Sequence, residues 1–328
     1  MRFRRLCAAV LLATGISLVP APAHAAAITC EDVTVPVTIA FTPQTMYGRL
    51  CAPQGASTVQ VLIPGGTYDS SYWDIGYAPD SRSFRLAMNK AGFATLAVDR
   101  LGTGRSSKPF SALVTATAQA IAVHQVIQTL RPRFSKVIVG GHSIGSAMAM
   151  IEAGMFRDVD GVLVTGFTHR MNLITVLPVL ANMIPAPLAG IGLDPGYLTT
   201  SPNTRYTSFH APGPLVQGAI SFDESTKDVF AATEAVDTIL LNSTVIPISR
   251  QINVPVIIVV GNDNHFCGSP LGSDCSSAAA LRTSELPFFT TSPSLQTYIL
   301  SGYGHSINYA PNAPDYHSVV AGWARTIR

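Results

Sequence analysis

The chain has 328 residues, of which 12% are charged and 47% are apolar, and a formal net charge of +2. Arg2, Arg4 and Arg5 account for the positive balance, because without them the formal charge is −1. No cluster of Lys and Arg interleaved with aromatic residues occurs, so the sequence does not predict a nucleic-acid-binding surface.

The first 25 residues have the pattern of an export signal. The three arginines precede an apolar run over residues 6–19, and Ala23-His24-Ala25 forms a small-x-small cleavage site. The apolar run is too short to span a bilayer comfortably. We therefore expect cleavage after Ala25 and a secreted protein without a stable membrane anchor.

The predicted elements alternate between strands and helices. The chain opens with an antiparallel hairpin over residues 33–49, with its corner near Pro43. The strands that follow are expected at 59–63, 93–98, 136–140, 162–166, 255–260 and 296–300. Helices are expected at 83–91, 112–130, 143–153 and 318–328. Short apolar strands that alternate with helices predict a mostly parallel central sheet flanked by helices on both faces, which is an α/β fold.

One long segment interrupts this alternation. Residues 168–250 contain apolar stretches punctuated by prolines and no short strand–helix unit. We expect a helical cap insertion there, over the carboxyl ends of the strands. Residues 26–167 and 251–328 would then form the core domain.

Four cysteines remain after the expected cleavage. An even number in an exported chain favours disulfides, and Cys30–Cys51 with Cys267–Cys275 is the simplest of three possible connectivities. A metal site is less favoured, since no C-x-x-C or H-x-x-x-H spacing accompanies these cysteines.

The strongest motif is a G-x-S-x-G turn around Ser143, placed between a predicted strand and a predicted helix. A serine that projects from so sharp a turn needs strained backbone angles, and Gly141 and Gly145 relieve the crowding on either side. The free N–H groups at the start of the new helix lie beneath the serine, and the N–H of Ile144 could stabilise an oxyanion. The motif predicts a nucleophilic serine.

Three further blocks accompany this turn. They are L-I-P-G-G-T at residues 62–67, D-R-L-G-T-G-R-S at residues 99–106, and the pair G-N-D at 261–263 with G-Y-G-H at 302–305. In chain order, with the Ser143 turn third, the four blocks resemble the α/β-hydrolase family over nearly all of the mature chain. The resemblance implies the α/β-hydrolase fold and a serine-dependent hydrolase that needs no metal or organic cofactor.

The resemblance also implies a catalytic triad in the order serine, acid, histidine. Asp263 follows an apolar strand and is the expected acid, and His305 is the expected base. His265 is the rival base. Three other aspartates precede the nucleophile and are therefore poor candidates for the acid: Asp69, Asp74 and Asp80.

The oxyanion donors implied by the resemblance are the N–H groups of Gly66 and Ile144, with Thr67 as the alternative to Gly66. Family members commonly carry a histidine where this chain has Pro64. Thr67, Tyr68, Trp73 and His142 are candidates for the substrate pocket. The aromatic residues after the turn could equally pack the cap onto the core, and His142 could pack beside the nucleophile.

These features predict a carboxylic-ester hydrolase, such as an esterase, a lipase-like enzyme or a lactonase, that acts on a fairly apolar small-molecule ester or lactone. A serine nucleophile argues against the epoxide-hydrolase and haloalkane-dehalogenase branches, which use a carboxylate. Two alternatives stay open. One is an exopeptidase or amidase on the same fold, and the other is a binding protein on an inactive hydrolase scaffold.

Overall fold

A computed structural model describes residues 27–327, apart from positions 243, 245, 263–265, 269 and 270. The predicted export signal lies outside these described residues, as do Asp263 and His265. No helix among the described residues combines the length and apolar character that a bilayer crossing requires.

The core of the fold is an eight-stranded sheet with strand order β1-β2-β4-β3-β5-β6-β10-β11. All neighbours from β4 to β11 pair in parallel, whereas β1–β2 and β2–β4 are antiparallel. The prediction of a mostly parallel sheet is therefore confirmed. In chain order, the strands of the described chain are β1 (Ile28–Ile39), β2 (Thr42–Pro53), β3 (Thr58–Ile63), β4 (Ala94–Val98), β5 (Lys136–His142), β6 (Gly161–Thr165), β7 (Met183–Pro185), β8 (Tyr197–Thr200), β9 (Phe230–Ala231), β10 (Val256–Gly261) and β11 (Leu295–Leu300).

Helices pack on both faces of this sheet, with α3 and α4 on one face and α2 and α9 on the other. Successive side chains of a strand point to opposite faces of the sheet. In β3, Val61 and Ile63 belong to the core beneath α3 and α4, while Leu62 faces α2 and α9. The α-helices are α1 (Pro79–Arg82), α2 (Phe84–Lys90), α3 (Ala116–Leu130), α4 (Ile144–Phe156), α5 (Leu173–Ala181), α6 (Gln217–Ser225), α7 (Ala232–Asn242), α8 (Ala278–Glu285) and α9 (Ala313–Ala324).

Both predicted disulfides are present, Cys30–Cys51 and Cys267–Cys275. The first joins directly opposed residues of the β1–β2 hairpin. The corner of that hairpin lies at Ala40 and Phe41, before the predicted position, and both residues have positive φ.

Two of the predicted helices differ from the observed ones by at least four residues at an end. The last helix was expected over residues 318–328 but spans Ala313–Ala324, because Pro314 fits the first turn of a helix, where no intrahelical N–H is needed. The helix expected from residue 112 begins only at Ala116, where the Thr115 hydroxyl caps it by accepting from the Ala118 N–H.

The segment between β6 and β10 is mixed rather than purely helical. It contains α5, α6 and α7, but also a three-stranded antiparallel sheet of order β7-β8-β9. Strands of two to four residues are too short to produce a readable alternation of polar and apolar residues, and the helical prediction missed them.

Candidate active site

Ser143 lies at a sharp turn between β5 and α4. Its backbone angles, φ 54° and ψ −124°, are rare for a residue with a side chain. The turn is held from below, since the Ser143 N–H donates to the Thr165 carbonyl at 2.8 Å and the Ser146 hydroxyl donates to the Gly141 carbonyl at 2.7 Å. The half-buried serine is therefore fixed in a strained conformation by its neighbours.

The two glycines of the G-x-S-x-G motif are required by close backbone contacts. A Cβ on Gly141 would lie 2.1 Å from the carbonyl carbon of Gly145. A Cβ on Gly145 would lie 2.5 Å from the carbonyl oxygens of both Ile63 and Pro64, at the end of β3. The spacing of the motif thus reflects how tightly α4 packs against the turn that precedes it.

His305 lies in the loop after β11 and is 1% exposed. Its ring stacks on Phe266 with centroids 4.2 Å apart, and the His142 ring lies 4.7 Å away. The loop is anchored to the 168–250 segment, since the Gly304 N–H donates to the His210 carbonyl at 3.2 Å and the Ser306 N–H to the Phe209 carbonyl at 2.9 Å. These contacts fix the position of the imidazole.

Ser143 and His305 line the same cavity, which has a volume of about 160 Å³. The fold thus brings together two residues predicted from the sequence, from strand ends far apart in the chain. The described lining of the cavity contains no Asp, Glu, Lys, Arg or Cys. The apolar members of the lining are Ile144, Phe167, Met171, Val176, Val179, Leu180, Met183, Phe209, Phe230, Ala235, Ile239 and Phe266.

The predicted acid, Asp263, and the rival base, His265, lie outside the described residues, so their roles stay predictions. The neighbouring backbone is described. Gly261, at the end of β10, approaches the His305 loop so closely that a Cβ there would lie 2.2 Å from the Gly304 carbonyl oxygen. The Gly302 N–H also donates to the Asn262 side chain at 2.9 Å. The two residues directly before position 263 therefore contact the loop that carries His305.

The three competing aspartates are engaged elsewhere. The Asp69 side chain accepts from the Ser71 N–H at 2.8 Å as the cap of a short 3₁₀ helix. Asp74 pairs with Arg85, and Asp80 pairs with Lys90 on the surface. None of the three lines the cavity.

Gly66 and Ile144, the predicted oxyanion donors, both line the cavity beside Ser143. Thr67, the alternative to Gly66, is fully buried with φ 64°, and its hydroxyl accepts from Arg205 Nη1 at 2.5 Å. Because Thr67 is not part of the lining, the geometry favours Gly66 as the residue that faces a bound substrate.

Among the candidate pocket residues, only Tyr68 is part of the described lining. Its hydroxyl is within 2.7 Å of the Ser306 hydroxyl, and burial raises the pKa of Tyr68 well above its usual value, so it is a neutral hydrogen-bonding group. Trp73 is buried against Phe84, with ring centroids 5.1 Å apart. His142 is buried and stacks on Tyr72 at 4.3 Å. Trp73 and His142 are therefore packing residues.

A buried ion pair, not found from the sequence, holds the turn that carries Gly66. Arg100 Nη1 lies 2.6 and 2.8 Å from the two carboxylate oxygens of Glu234 in α7, and neither side chain is exposed. Arg100 Nη2 donates to the Gly65 carbonyl at 3.1 Å and to the Val229 carbonyl at 3.0 Å. One guanidinium thus links the turn to the 168–250 segment.

A second buried arginine binds the same turn from the other direction. Arg205, in the 168–250 segment, binds the Thr67 hydroxyl and also Asp223 Oδ1 at 2.6 Å. His210 Nε2 lies 2.6 Å from the other oxygen of Asp223. Burial alone would raise the pKa of Asp223, but the Arg205 charge and the His210 hydrogen bond outweigh it and lower the pKa to about 2.

A separate serine–histidine–carboxylate chain lies in the protein interior. Ser249 Oγ is 2.7 Å from His169 Nε2, and His169 Nδ1 is 2.6 Å from Glu285 Oε2. All three residues are at most 5% exposed, and none lines the cavity. Without access for a substrate, this chain connects structural elements.

Known proteins resemble this chain in sequence and in fold. Residues 60–314 match the model of the alpha/beta hydrolase family. Lipase 1 of Psychrobacter immobilis is 34% identical over 86 residues, which is 26% of this chain and 27% of that lipase.

Two solved structures have a similar fold. A thermophilic esterase from Thermogutta terrifontis has a TM-score of 0.57 at 16% identity, over 90% of this chain and 99% of that one. An alpha/beta hydrolase fold protein from Chitinophaga pinensis has a TM-score of 0.59 at 14% identity, over 89% of this chain and 96% of that one. From its sheet order, its G-x-S-x-G turn and the family match, this chain belongs to the α/β-hydrolase family.

Proposed function

We propose that this protein is a secreted carboxylic-ester hydrolase that cleaves apolar esters or lactones through an acyl-enzyme on Ser143. One observation carries the proposal: the strained serine opens into an apolar cavity that is also lined by His305. The Ser-His-Asp triad would be completed by Asp263.

In the proposed reaction, His305 takes the proton of the Ser143 hydroxyl as the oxygen attacks the substrate carbonyl carbon. Asp263 orients the imidazole and stabilises its charged form. His305 then gives the proton to the departing alcohol, and the same base activates the water that hydrolyses the acyl-enzyme. No metal or organic cofactor takes part in these steps.

The N–H groups of Gly66 and Ile144 receive the negative charge that develops on the carbonyl oxygen. A preorganised donor of this kind lowers the barrier by about 3 kcal/mol. The charge is shielded from water by the apolar lining, which strengthens these hydrogen bonds. The buried arginines matter here indirectly, because Arg100 and Arg205 hold the two residues that flank Gly66.

The lining favours an apolar substrate over a charged one. An exopeptidase needs a counter-charge for the free terminus of its substrate, and the described lining contains no charged side chain of the Asp, Glu, Lys or Arg type. Helices α5 and α7 contribute Val176, Val179 and Ile239 to the lining, which supports residues 168–250 as a cap over the site. An acyl or alcohol group of hydrocarbon character matches these surfaces.

Secretion is part of the proposal. The arginine-rich start, the apolar run and the cleavage site after Ala25 are those of an exported chain. Two disulfides also suit an oxidising compartment.

The decisive experiment combines active-site labelling with a substrate screen. Mature protein would be treated with a fluorophosphonate, and hydrolysis would be measured for p-nitrophenyl esters of graded length, lactones and aminoacyl anilides. We expect labelling of Ser143, and turnover of esters or lactones that falls at least about 10³-fold in Ser143→Ala and in His305→Ala.

Ser249→Ala is the matched control, since it removes a serine hydroxyl that binds a histidine outside the cavity. The folded fraction of the Ser249→Ala protein should retain wild-type hydrolase activity. Turnover of anilides alone would replace the esterase by a peptidase, and unlabelled wild-type protein would favour a binding protein. A larger loss in His265→Ala than in His305→Ala would reassign the base.

A further inference from the structure

Three side chains that the proposed reaction does not use converge on the α3–α4 face of the sheet. They are His124 of α3, Glu152 of α4 and Asp158 in the loop before β6, and each offers one atom to a group whose atoms all lie within 4.8 Å of one another. His124 Nδ1 is 2.9 Å from Asp158 Oδ2 and 3.6 Å from Glu152 Oε1.

The group is rich in acceptors and short of donors. Glu152 is fully buried, and neither of its carboxylate oxygens has a hydrogen-bond partner among the described residues. The same holds for Asp158 Oδ1 and for His124 Nδ1, whose contacts lack hydrogen-bond geometry. Gln128 Nε2 is a donor to Asp158 Oδ2. Buried polar atoms are nearly always satisfied, so several unsatisfied atoms in one place indicate a missing positive partner.

The other buried carboxylates of the protein differ in this respect. Glu234 accepts from Arg100, from Gln119 Nε2 at 2.7 Å and from the Ala231 N–H at 2.9 Å. Asp223 is bound by Arg205 and His210. Glu152 has no such set of donors, which is consistent with the pKa of about 9 to which burial, and then the nearby Asp158, raises it.

We propose that His124, Glu152 and Asp158 bind a divalent transition-metal ion of the Zn²⁺ type, at a site separate from the proposed catalytic centre. One imidazole nitrogen and two carboxylate oxygens suit such an ion, whereas Ca²⁺ and Mg²⁺ prefer oxygen ligands alone. Ligand atoms at about 2.1 Å from tetrahedral Zn²⁺ are about 3.4 Å apart. A small movement of one side chain would bring all three ligand atoms to this spacing.

The remaining coordination position would belong to water. The His124 and Asp158 side chains are 25% and 23% exposed, so the ion has a path from solvent. Glu152 lies eight positions after Ile144, which is about 12 Å along α4, so the ion would not contact the reacting atoms. Its expected role is to fasten α3, α4 and the loop before β6 together.

The test is metal binding to tag-free mature protein that has been stripped with a chelator. Calorimetry with ZnCl₂ should give one site per chain, and CaCl₂ and MgCl₂ should give none. At a Zn²⁺ concentration about 100-fold above Kd, Tm should rise by about 5 °C. The stripped protein should keep its hydrolase activity, if it has one, so the result does not depend on the proposed function.

Glu152→Gln preserves the shape of the side chain and, like the protonated acid that a pKa of about 9 implies for the metal-free protein, carries no charge, so it should fold. We expect it to lower Zn²⁺ affinity at least about 10-fold, as should His124→Ala. Asp80→Asn, a change of equal charge at an exposed site, should bind Zn²⁺ like the wild type. Absence of Zn²⁺ binding by the wild type, or unchanged affinity in Glu152→Gln, would overturn the proposal. A wild type whose Tm does not change with Zn²⁺, together with a higher Tm in Glu152→Gln, would also overturn it. The three side chains would then share a proton and bind no metal ion.

Discussion

Replacement of Glu234 by glutamine tests whether the buried Arg100–Glu234 pair fastens the active site. Both side chains are completely buried, and Glu234 is the carboxylate nearest to the Arg100 guanidinium, at 2.6 Å. Glutamine keeps the size of the side chain but leaves the arginine without a counter-charge. Breaking a buried pair in this way costs about 3–5 kcal/mol, so the free energy of unfolding should fall by that amount.

The same variant should lose activity for a geometric reason. Arg100 Nη2 donates to the Gly65 carbonyl, directly before the proposed oxyanion donor Gly66. If the turn shifts, the loss approaches that of one oxyanion donor, which is about 100-fold to 1,000-fold in kcat. KM should change much less, since the apolar lining proposed to bind the substrate is retained.

Two assays separate these effects. Urea unfolding can be followed by the fluorescence of Trp73 and Trp323, which are both buried, and kcat is measured at a temperature at which the variant is folded. Glu31→Gln breaks an exposed ion pair with Arg133 and should leave both quantities nearly unchanged. An unchanged unfolding midpoint in Glu234→Gln would refute the energetic argument. Full kcat in a folded variant would refute the positioning role of Arg100.

Three further predictions follow from single contacts. Gly145→Ala should abolish soluble, active protein, because its Cβ would lie 2.5 Å from two backbone carbonyl oxygens, whereas Gly322→Ala meets nothing within 4 Å and should express normally. The pKa of Asp223 is about 2 in the folded protein and about 4 when unfolded, so the carboxylate contributes about 3 kcal/mol to the free energy of unfolding at neutral pH, and this contribution is lost as the pH falls from about 4 to 2. Asp223→Asn should therefore lose less stability than the wild type between pH 5 and pH 2 in urea unfolding. Intact mass spectrometry should find the oxidised protein about 4 Da lighter than the reduced one, and free thiols at Cys267 and Cys275 would contradict the second disulfide.

The parts of the site that the sequence predicts are those set by local backbone geometry. The strained turn at Ser143 needs small residues two positions away on each side, so Gly141 and Gly145 mark it in the sequence itself. His305 is predicted by the resemblance to the α/β-hydrolase family, as the histidine of the G-Y-G-H block. Both residues line one cavity, as strand ends on one edge of a parallel sheet should.

The charged scaffold around the site could not be predicted, because its contacts join distant parts of the chain. Arg205 and Thr67 are 138 positions apart, and Arg100 and Glu234 are 134 positions apart. No periodicity or spacing relates such residues. Trp73 illustrates a different limit. An aromatic residue shortly after the turn at residues 65–67 suits a pocket as well as a core, and only the direction of its side chain decides between them.

The buried ion pairs also bear on how substrate reaches the cavity. Arg100 and Arg205 bind the turn at residues 65–67 to α7 and to Asp223. If residues 168–250 form the proposed cap, opening it on that side would break buried pairs that cost several kcal/mol to separate. Helix α5 has no such attachment, since it contains no charged residue. We expect substrate to enter beside α5 while α7 stays in place.

Hydrogen exchange followed by mass spectrometry can examine this expectation. Amides of α5 should exchange faster than those of residues 228–234, because local opening is cheapest where few buried polar contacts must break. The side chains of Ile174 and Leu177 on α5 are exposed, so their burial does not stabilise the helix in its observed position. In Glu234→Gln the protection of residues 228–234 should fall towards that of α5. Slower exchange in α5 than in residues 228–234 of the wild type would place the entrance elsewhere, and would mean that the buried pairs do not set the mobility of the cap.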